Sequence, residues 1–280
     1  MNDNASGKEP ILVLGGTGKT GRRLAKRLSN AGHAVRIGSR SAEPSFDWDD
    51  QATWAPALQG VKSVYVAFQP DLAMPGALET VRAFFDRAIE SGAKRLVLLS
   101  GRGEVEAEEC EAALRATAAE WTILRASWFS QNFSENFWLD AVLAGEVALP
   151  VSDVAEPFVD VEDIVDIAFA ALTEWGHAFQ LYEITGPRAL SFPEAIAEIA
   201  AATGRTIRFT RVAPEAYAAE LARQDMPPEY ADLVMYLLTT VLDGRNTPVA
   251  DGVQRALGRA PRDFSDYVRL TAATGIWGAK

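Results

Sequence analysis

Cysteine and histidine are almost missing from this chain. One cysteine, Cys110, and two histidines, His33 and His177, occur among 280 residues. A disulfide framework needs paired cysteines, and a zinc cluster or a histidine-based catalytic triad needs more members than these three side chains supply. Cys110 also lies in an acidic run, where neighbouring carboxylates should raise the pKa of the thiol. We therefore expect no metal site and no redox-active thiol.

Basic side chains and long apolar runs are also scarce. Twenty-seven basic against 38 acidic side chains give a formal charge of -11, which opposes binding to nucleic acid and to anionic membrane surfaces. No segment reaches the roughly 18 apolar residues of a membrane span, and residues 1–10 are polar, unlike a secretory signal. The sequence predicts a cytoplasmic protein, monomer or homodimer, whose partner is a small-molecule substrate, with neither nucleic acid nor membrane bound.

What the chain does contain is a glycine-rich turn between a strand and a helix. The apolar run Ile11–Leu14 leads directly into Gly15, Gly18 and Gly21, and a helical pattern follows over residues 22–31. The first glycine permits a tight turn, the second lets a pyrophosphate approach the backbone, and the third lets helix and strand pack closely. The N-terminus of the helix then faces the phosphates. This order predicts a dinucleotide site.

Two other interpretations of the glycines compete with this one. The spacing is G-x-x-G-x-x-G, which differs from the G-x-G-x-x-G fingerprint, so a glycine-rich turn that binds nothing remains an alternative. The segment Gly18-Lys19-Thr20 also resembles the end of a nucleoside-triphosphate loop, but Val13 occupies the place of its first glycine. The strand before the turn and the helix after it favour the dinucleotide.

The alternation of strands and helices indicates the fold class. Strand-like runs at residues 34–37, 63–67, 95–99 and 121–125 are separated by helical runs, which predicts a Rossmann α/β fold, a doubly wound parallel sheet with helices on both faces. Beyond about residue 150 helices predominate. We expect an NAD(P)-binding domain at residues 1–150 and a smaller, partly interleaved α+β substrate lobe at 151–280.

The residues after the second strand predict which dinucleotide binds. A carboxylate there would hold the ribose 2′-hydroxyl of NAD, whereas this chain has Gly38, Ser39 and Arg40. The guanidinium of Arg40 could pair with a 2′-phosphate, although a solvated loop arginine is the simpler alternative. The sequence favours NADP(H) over NAD(H).

Several motifs along the chain resemble those of a known family. They are Gly15-Gly-Thr-Gly-Lys-Thr-Gly-Arg-Arg23, Phe46-Asp-Trp-Asp-Asp50, Trp121-Thr-Ile-Leu-Arg125, Trp128-Phe-Ser-Gln-Asn-Phe133, Pro157-Phe-Val-Asp-Val161 and Ile184-Thr-Gly-Pro187. Their order, over nearly the whole chain, resembles the NmrA-like branch of the atypical short-chain dehydrogenase/reductases. Within that branch the chain is most similar to the NAD(P)-binding group that includes ergot-alkaloid reductases acting on iminium intermediates and quinone-oxidoreductase-like members.

The resemblance implies a set of cofactor contacts. Asp47 and Trp48 would border the adenine, residues 67–70 would line the adenosine side, and Ser100-Gly101 would lie near the nicotinamide ribose. For Trp48 and Phe68, simple core packing is the alternative. The complete set of expected cofactor-binding residues is Gly15, Thr17, Gly18, Lys19, Thr20, Gly21, Ser39, Arg40, Asp47, Trp48, Ala67, Phe68, Gln69, Ser100 and Gly101.

The resemblance also implies a substrate pocket, formed by Trp128, Phe129 and Asn132, while we expect Phe133 to lie in the core. Typical short-chain reductases place Tyr-x-x-x-Lys after the strand that ends near Ser100, so that the tyrosine donates a proton to a carbonyl. Residues 101–115 contain neither tyrosine nor lysine. We therefore assign no catalytic residue and do not expect ordinary ketone reduction.

Two functions fit a dinucleotide site without that acid. One is NADPH-dependent hydride transfer to a polarised acceptor such as a quinone or an iminium ion, which needs orientation and electrostatic stabilisation more than a proton donor. The other is a non-catalytic NADP(H)-sensing regulator that signals through a partner protein. The aromatic residues expected beside the nicotinamide favour the enzyme.

Overall fold

The structure of the protein, a computed structural model, describes residues 9–135, 137–224 and 226–278. The chain folds into two compact units, each built from several segments. The first unit holds the chain up to Ser100, Val105–Arg125 and Ile164–Tyr182, and the second holds Gly101–Glu104, Ala126–Asp163 and the chain from Glu183 onward.

Strands and helices alternate through the first half of the described chain and helices predominate later. The elements up to the fifth strand are β1 (Ile11–Leu14), α1 (Lys19–Asn30), β2 (Val35–Gly38), α2 (Trp54–Leu58), β3 (Ser63–Val66), α3 (Ala77–Glu90), β4 (Arg95–Gly101), α4 (Val105–Arg115) and β5 (Glu120–Ala126). The later elements are α5 (Leu139–Ala144), β6 (Glu146–Leu149), β7 (Ala155–Glu156), α6 (Val161–Thr173), β8 (Gln180–Ile184), β9 (Leu190–Ser191), α7 (Phe192–Thr203), β10 (Arg208–Arg211), α8 (Pro214–Arg223), α9 (Pro228–Tyr236), α10 (Gly252–Leu257) and α11 (Phe264–Ala272).

A six-stranded sheet with the order β2-β1-β3-β4-β5-β8 organises the first unit. β1 pairs in parallel with β2 on one side and with β3 on the other, so that Ile11 lies opposite both Val35 and Ser63. β3 pairs in parallel with β4. The chain turns one way after β1 and the other way after β3, and the reversal opens a crevice outside the carboxyl ends of these two strands.

Both faces of this sheet are covered, as the sequence predicted for a doubly wound fold. Leu12 and Leu14 join a core formed with the aromatic rings of α3 and the apolar side of α4. Val13 points to the opposite face and is also fully buried. On the other side of the unit, α1 and α6 are joined by the ion pair of Arg27 with Asp166.

The second unit has its own core, built around aromatic side chains. Phe133, Phe158, Phe192, Phe264 and Trp277 are all buried there. Two small sheets accompany this core: β6 pairs in parallel with β10, and β7 pairs antiparallel with β9.

Helix boundaries in the second unit follow local chemistry. α7 begins at a capping box, in which the Ser191 side chain accepts from the Glu194 amide while the Glu194 carboxylate accepts from the Ser191 amide, as the sequence pattern predicts. The helical pattern over residues 228–242 predicts one helix, and the structure is helical there up to Val241 but changes helix type. α9 ends at Tyr236, and a π-helical turn follows in which the Leu242 amide donates to the Leu237 carbonyl.

None of the helices within the described residues is long and apolar enough to cross a membrane.

Candidate active site

The glycine turn is shaped as the sequence predicted. Gly15 adopts a positive φ of 63°, and the Gly18 amide donates a 2.8 Å hydrogen bond back to the Gly15 carbonyl. A Cβ on Gly21 would overlap that same carbonyl, so only glycine lets α1 approach β1 this closely. A Cβ on Gly18 would lie 3.2 Å from the Gly15 oxygen and fill part of the loop.

The N-terminus of α1 is suited to a phosphate group. Gly18 caps the helix without a side-chain hydrogen bond, and no acidic residue occupies the first turn. No side-chain carboxylate therefore offsets the positive end of the helix dipole at this terminus. Thr17 is exposed, Gly18 and Lys19 are half-buried, and Thr20 is buried with its hydroxyl beside that of Tyr65. The loop and helix start thus fit a dinucleotide pyrophosphate.

The residues after β3 lie beside this loop. A Cβ on Gly15 would stand 3.3 Å from the Ala67 Cβ, and one on Gly18 would stand 3.7 Å from Nε2 of Gln69. The carboxyl ends of β1 and β3 therefore meet, as the crevice rule requires. The structure brings together four of the expected cofactor residues, Gly15, Gly18, Ala67 and Gln69.

The segment after β2 carries the residues expected at the ribose. Ser39 is half-buried, and its carbonyl accepts hydrogen bonds from the Ala42 and Phe46 amides, which closes a turn. Arg40 is exposed, and no described residue forms an ion pair or hydrogen bond with its guanidinium. The side chain is available to an anionic ligand.

Trp48 and Phe68 lie together, 4.9 Å apart between ring centroids. Trp48 also contacts Phe84 of α3 at 5.1 Å, and both Trp48 and Phe68 pack against the core while remaining half-buried. The Asp47 carbonyl next to Trp48 accepts a 2.7 Å hydrogen bond from Nε1 of Trp54, which fixes this segment. Core packing explains the buried part of each ring.

Ser100 is engaged by a buried ion pair that sequence reasoning missed. Its Oγ donates a 2.8 Å hydrogen bond to Oε1 of Glu111, a carboxylate with no exposed surface. Arg125 donates to both Glu111 oxygens, at 2.8 and 2.6 Å, and Arg115 donates to Oε2 at 2.8 Å. Paired in this way, the charge can remain buried.

A signal for this network is visible along α4. Glu111 lies four residues after Ala107 and three before Leu114, on the side of the helix that carries the buried residues. Gly101, the neighbour of Ser100, belongs to the second unit, where a Cβ on it would overlap the Glu104 carboxylate.

The expected pocket residues belong to the second unit. Trp128 is half-buried, and its ring stacks on that of Trp138 at 5.4 Å with 7° between the ring planes. Phe129 and Asn132 are also half-buried, and no described residue bonds to the Asn132 side-chain amide. Phe133 is fully buried in the core, as expected.

Glu156 is a second buried acid that the sequence did not single out. It is 2% exposed and lies in β7. The Ser127 hydroxyl donates to its Oε1 at 2.7 Å, and the Trp128 amide also donates to the carboxylate. Burial raises the pKa of Glu156 to about 7, against the opposing effect of these hydrogen bonds and of the Arg102 charge. The only signal for the burial of Glu156 in the sequence is its apolar neighbours, Ala155, Pro157 and Phe158.

The Cys110 thiol is buried and has the raised pKa that the sequence predicts. Burial first, and then the charge of Glu109, raise the pKa of Cys110 to about 12. Among the described residues, no group of three or more histidine, cysteine, aspartate or glutamate side chains could hold a metal ion.

Comparison with known proteins identifies the class. Residues 15–161 match the NAD(P)H-binding family. An uncharacterised oxidoreductase of Bacillus subtilis, YesF, is 31% identical, with 96% of this chain and 98% of the relative covered. The festuclavine dehydrogenase of Aspergillus fumigatus is 30% identical, with 94% and 98% covered.

The fold is shared with an Escherichia coli NADPH-dependent quinone oxidoreductase solved with NADPH, at a TM-score of 0.76 and 19% identity, with 92% and 98% of the chains covered. The chain belongs to the NAD(P)H-binding family and is an NAD(P)H-dependent oxidoreductase. These relatives confirm the resemblance on which the sequence prediction drew.

Proposed function

We propose that the protein uses NADPH to reduce small, electron-deficient organic acceptors of the quinone or cyclic iminium type. The observation that carries the proposal lies between β4 and α4. Typical reductases of this kind place a tyrosine and a lysine there, whereas here the Ser100 hydroxyl is bound to Glu111 and residues 101–115 lack both types. An acceptor that is already electron-deficient can receive hydride without a tyrosine that polarises its carbonyl group.

The choice of NADPH is supported by Arg40. Its exposed guanidinium follows β2, where the adenosine ribose is bound in dinucleotide folds. Residues 38–40 contain no carboxylate that would bind the ribose 2′-hydroxyl of NADH. A guanidinium pairs with a phosphate through charge-assisted hydrogen bonds. The bound dinucleotide supplies the hydride.

The acceptor side is assigned to the aromatic residues after β5. Trp128, stacked on Trp138, offers a flat surface to a conjugated ring, and the Asn132 amide can bind a polar atom of the acceptor. Phe129, between them in sequence, adds an apolar wall. These side chains would orient the acceptor and exclude water around it.

Steady-state rates with a panel of acceptors test the proposal. NADPH oxidation should proceed with quinones and cyclic iminium ions and poorly with simple ketones. Phe129→Ala and Asn132→Ala should lower turnover without an equal loss of NADPH affinity. Trp175→Ala is the matched aromatic control, because Trp175 is 90% exposed in the other unit.

The panel also decides between enzyme and regulator. The reductase proposal would be rejected in favour of the sensing function by three results together. These are no turnover with either acceptor class, tight NADPH binding, and an NADP-dependent change in affinity for a protein partner.

A further inference from the structure

Ser127 and Glu156 form a buried pair next to the residues assigned to the acceptor. Ser127 follows the last residue of β5 and precedes Trp128. Its amide donates a 3.0 Å hydrogen bond to the Ile184 carbonyl, so the backbone that carries the hydroxyl is fixed. In parallel α/β sheets ligands bind outside the carboxyl ends of the strands, which is where Ser127 stands on β5.

The surroundings of Glu156 allow its carboxyl group to be protonated near neutral pH. An ionised carboxylate that is 2% exposed normally needs a close cation. The charged group that acts on Glu156 is Arg102, but Arg102 has other partners. Its Nη1 donates to the Asn246 carbonyl at 2.6 Å, and its Nε lies 3.4 Å from the Glu183 carboxylate. With burial outweighing these interactions, the neutral acid persists around pH 7, where a proton donor works best.

We propose that Glu156 and Ser127 form a proton relay that serves acceptors whose reduction consumes a proton as well as a hydride. In this relay the Ser127 hydroxyl, on a residue that is 3% exposed and next to Trp128, passes the proton to the acceptor, and Glu156 acts through it as a positioning and proton-supplying residue. The inference rests on the proposed reductase function and deepens it. It supplies the protonating group that the missing tyrosine and lysine leave unassigned.

For a quinone, the relay accounts for every proton and electron of the reduction. A hydride from NADPH, delivered to one quinone oxygen, forms an O–H bond there and leaves the other oxygen anionic. That oxygen takes the proton of the Ser127 hydroxyl while the Glu156 carboxyl returns a proton to Ser127 Oγ. The products are the hydroquinone and a Glu156 carboxylate, which regains its proton from solvent. An N-methyl iminium ion, by contrast, becomes a neutral tertiary amine on receiving hydride and needs no proton.

Comparing turnover of the two acceptor types therefore distinguishes a proton relay from a purely structural contact between Ser127 and Glu156. In Glu156→Gln, quinone kcat should fall by roughly 10²-fold, the scale of general acid catalysis, whereas turnover of a cyclic N-methyl iminium ion should fall much less. Ser127→Ala should show the same split. In the wild type, quinone kcat should decline above about pH 7, and Glu156→Gln should not show this decline. Glu215→Gln, at an exposed site on α8, is the matched control.

Infrared difference spectroscopy gives a readout independent of turnover. The wild type at pH 6 should show the carbonyl stretch of a protonated carboxyl that Glu156→Gln lacks and Glu215→Gln retains. Absence of that band, or equal losses with both acceptors in Glu156→Gln, overturns the relay while leaving the reductase function intact. A wild type inactive with both acceptors contradicts the proposed function itself, and the relay falls with it.

Discussion

Gly15 and Ala67, which follow the neighbouring strands β1 and β3, lie so close that a Cβ on Gly15 would stand 3.3 Å from the Ala67 Cβ. This contact places the glycine turn at the point where the strand order reverses. The uncapped start of α1 lies at the same edge of the sheet. A turn, a helix end and a strand end thus converge where a dinucleotide phosphate is bound in such folds.

The two later glycines of the turn predict different variant phenotypes. Gly18→Val should abolish NADPH binding with a small change in thermal stability, because its Cβ would lie 3.2 Å from the Gly15 oxygen and its methyl groups would enter the ligand space. Gly21→Val should destabilise the fold itself, because its Cβ would overlap the Gly15 carbonyl. Calorimetric NADPH affinity and melting without cofactor separate the two effects. Retained NADPH affinity in Gly18→Val would show that this turn does not hold the phosphates.

Arg40 should set the preference for NADPH over NADH. Arg40→Ala should weaken NADPH binding by roughly 1–3 kcal/mol, the range for a hydrogen bond to a charged group, and change NADH binding little. Arg82→Ala, at an exposed position on α3, is the control for the loss of one surface positive charge. Equal affinities of the wild-type protein for the two dinucleotides would contradict the assignment.

Glu156 predicts a specific dependence of stability on pH. Its pKa is raised from 4.5 to about 7, so between these values the unfolded chain releases a proton that the folded protein keeps. The free energy of unfolding must therefore fall as pH rises through this window, by roughly 3 kcal/mol for the full shift. Glu156→Gln removes this contribution. Urea unfolding at pH 4.5 and pH 8 should show a smaller pH effect in Glu156→Gln than in the wild type and in Glu215→Gln, and identical pH effects would refute the raised pKa.

Local patterns were sufficient to predict many elements. A strand-like run at residues 180–184 and a helical run that opens with a proline at residues 214–223 are short-range signals in the sequence. β8 and α8 have these bounds, Gln180–Ile184 and Pro214–Arg223. The capping box of Ser191 and Glu194 is equally local. The position of the glycine turn followed for the same reason.

What depends on distant contacts could not be predicted. β6 is four residues long and is paired with β10, some 60 residues later, so its own sequence carries little signal. The burial of Glu111 and Glu156 depends on Arg125 and Ser127, which only the folded chain brings to them. Trp128 belongs to the second compact unit although it precedes residue 150. The division into a cofactor domain at 1–150 and a substrate lobe at 151–280 stays a prediction.

Direct hydride transfer to an electron-deficient acceptor is the central claim, and isotope transfer tests it most directly. The protein would be mixed with NADPH deuterated at both C4 positions and a cyclic N-methyl iminium ion, and the amine product analysed by mass spectrometry. We expect one deuterium on the former iminium carbon, with NADPH consumed in equal amount. Product without deuterium, or no product while NADPH remains bound, would contradict the account.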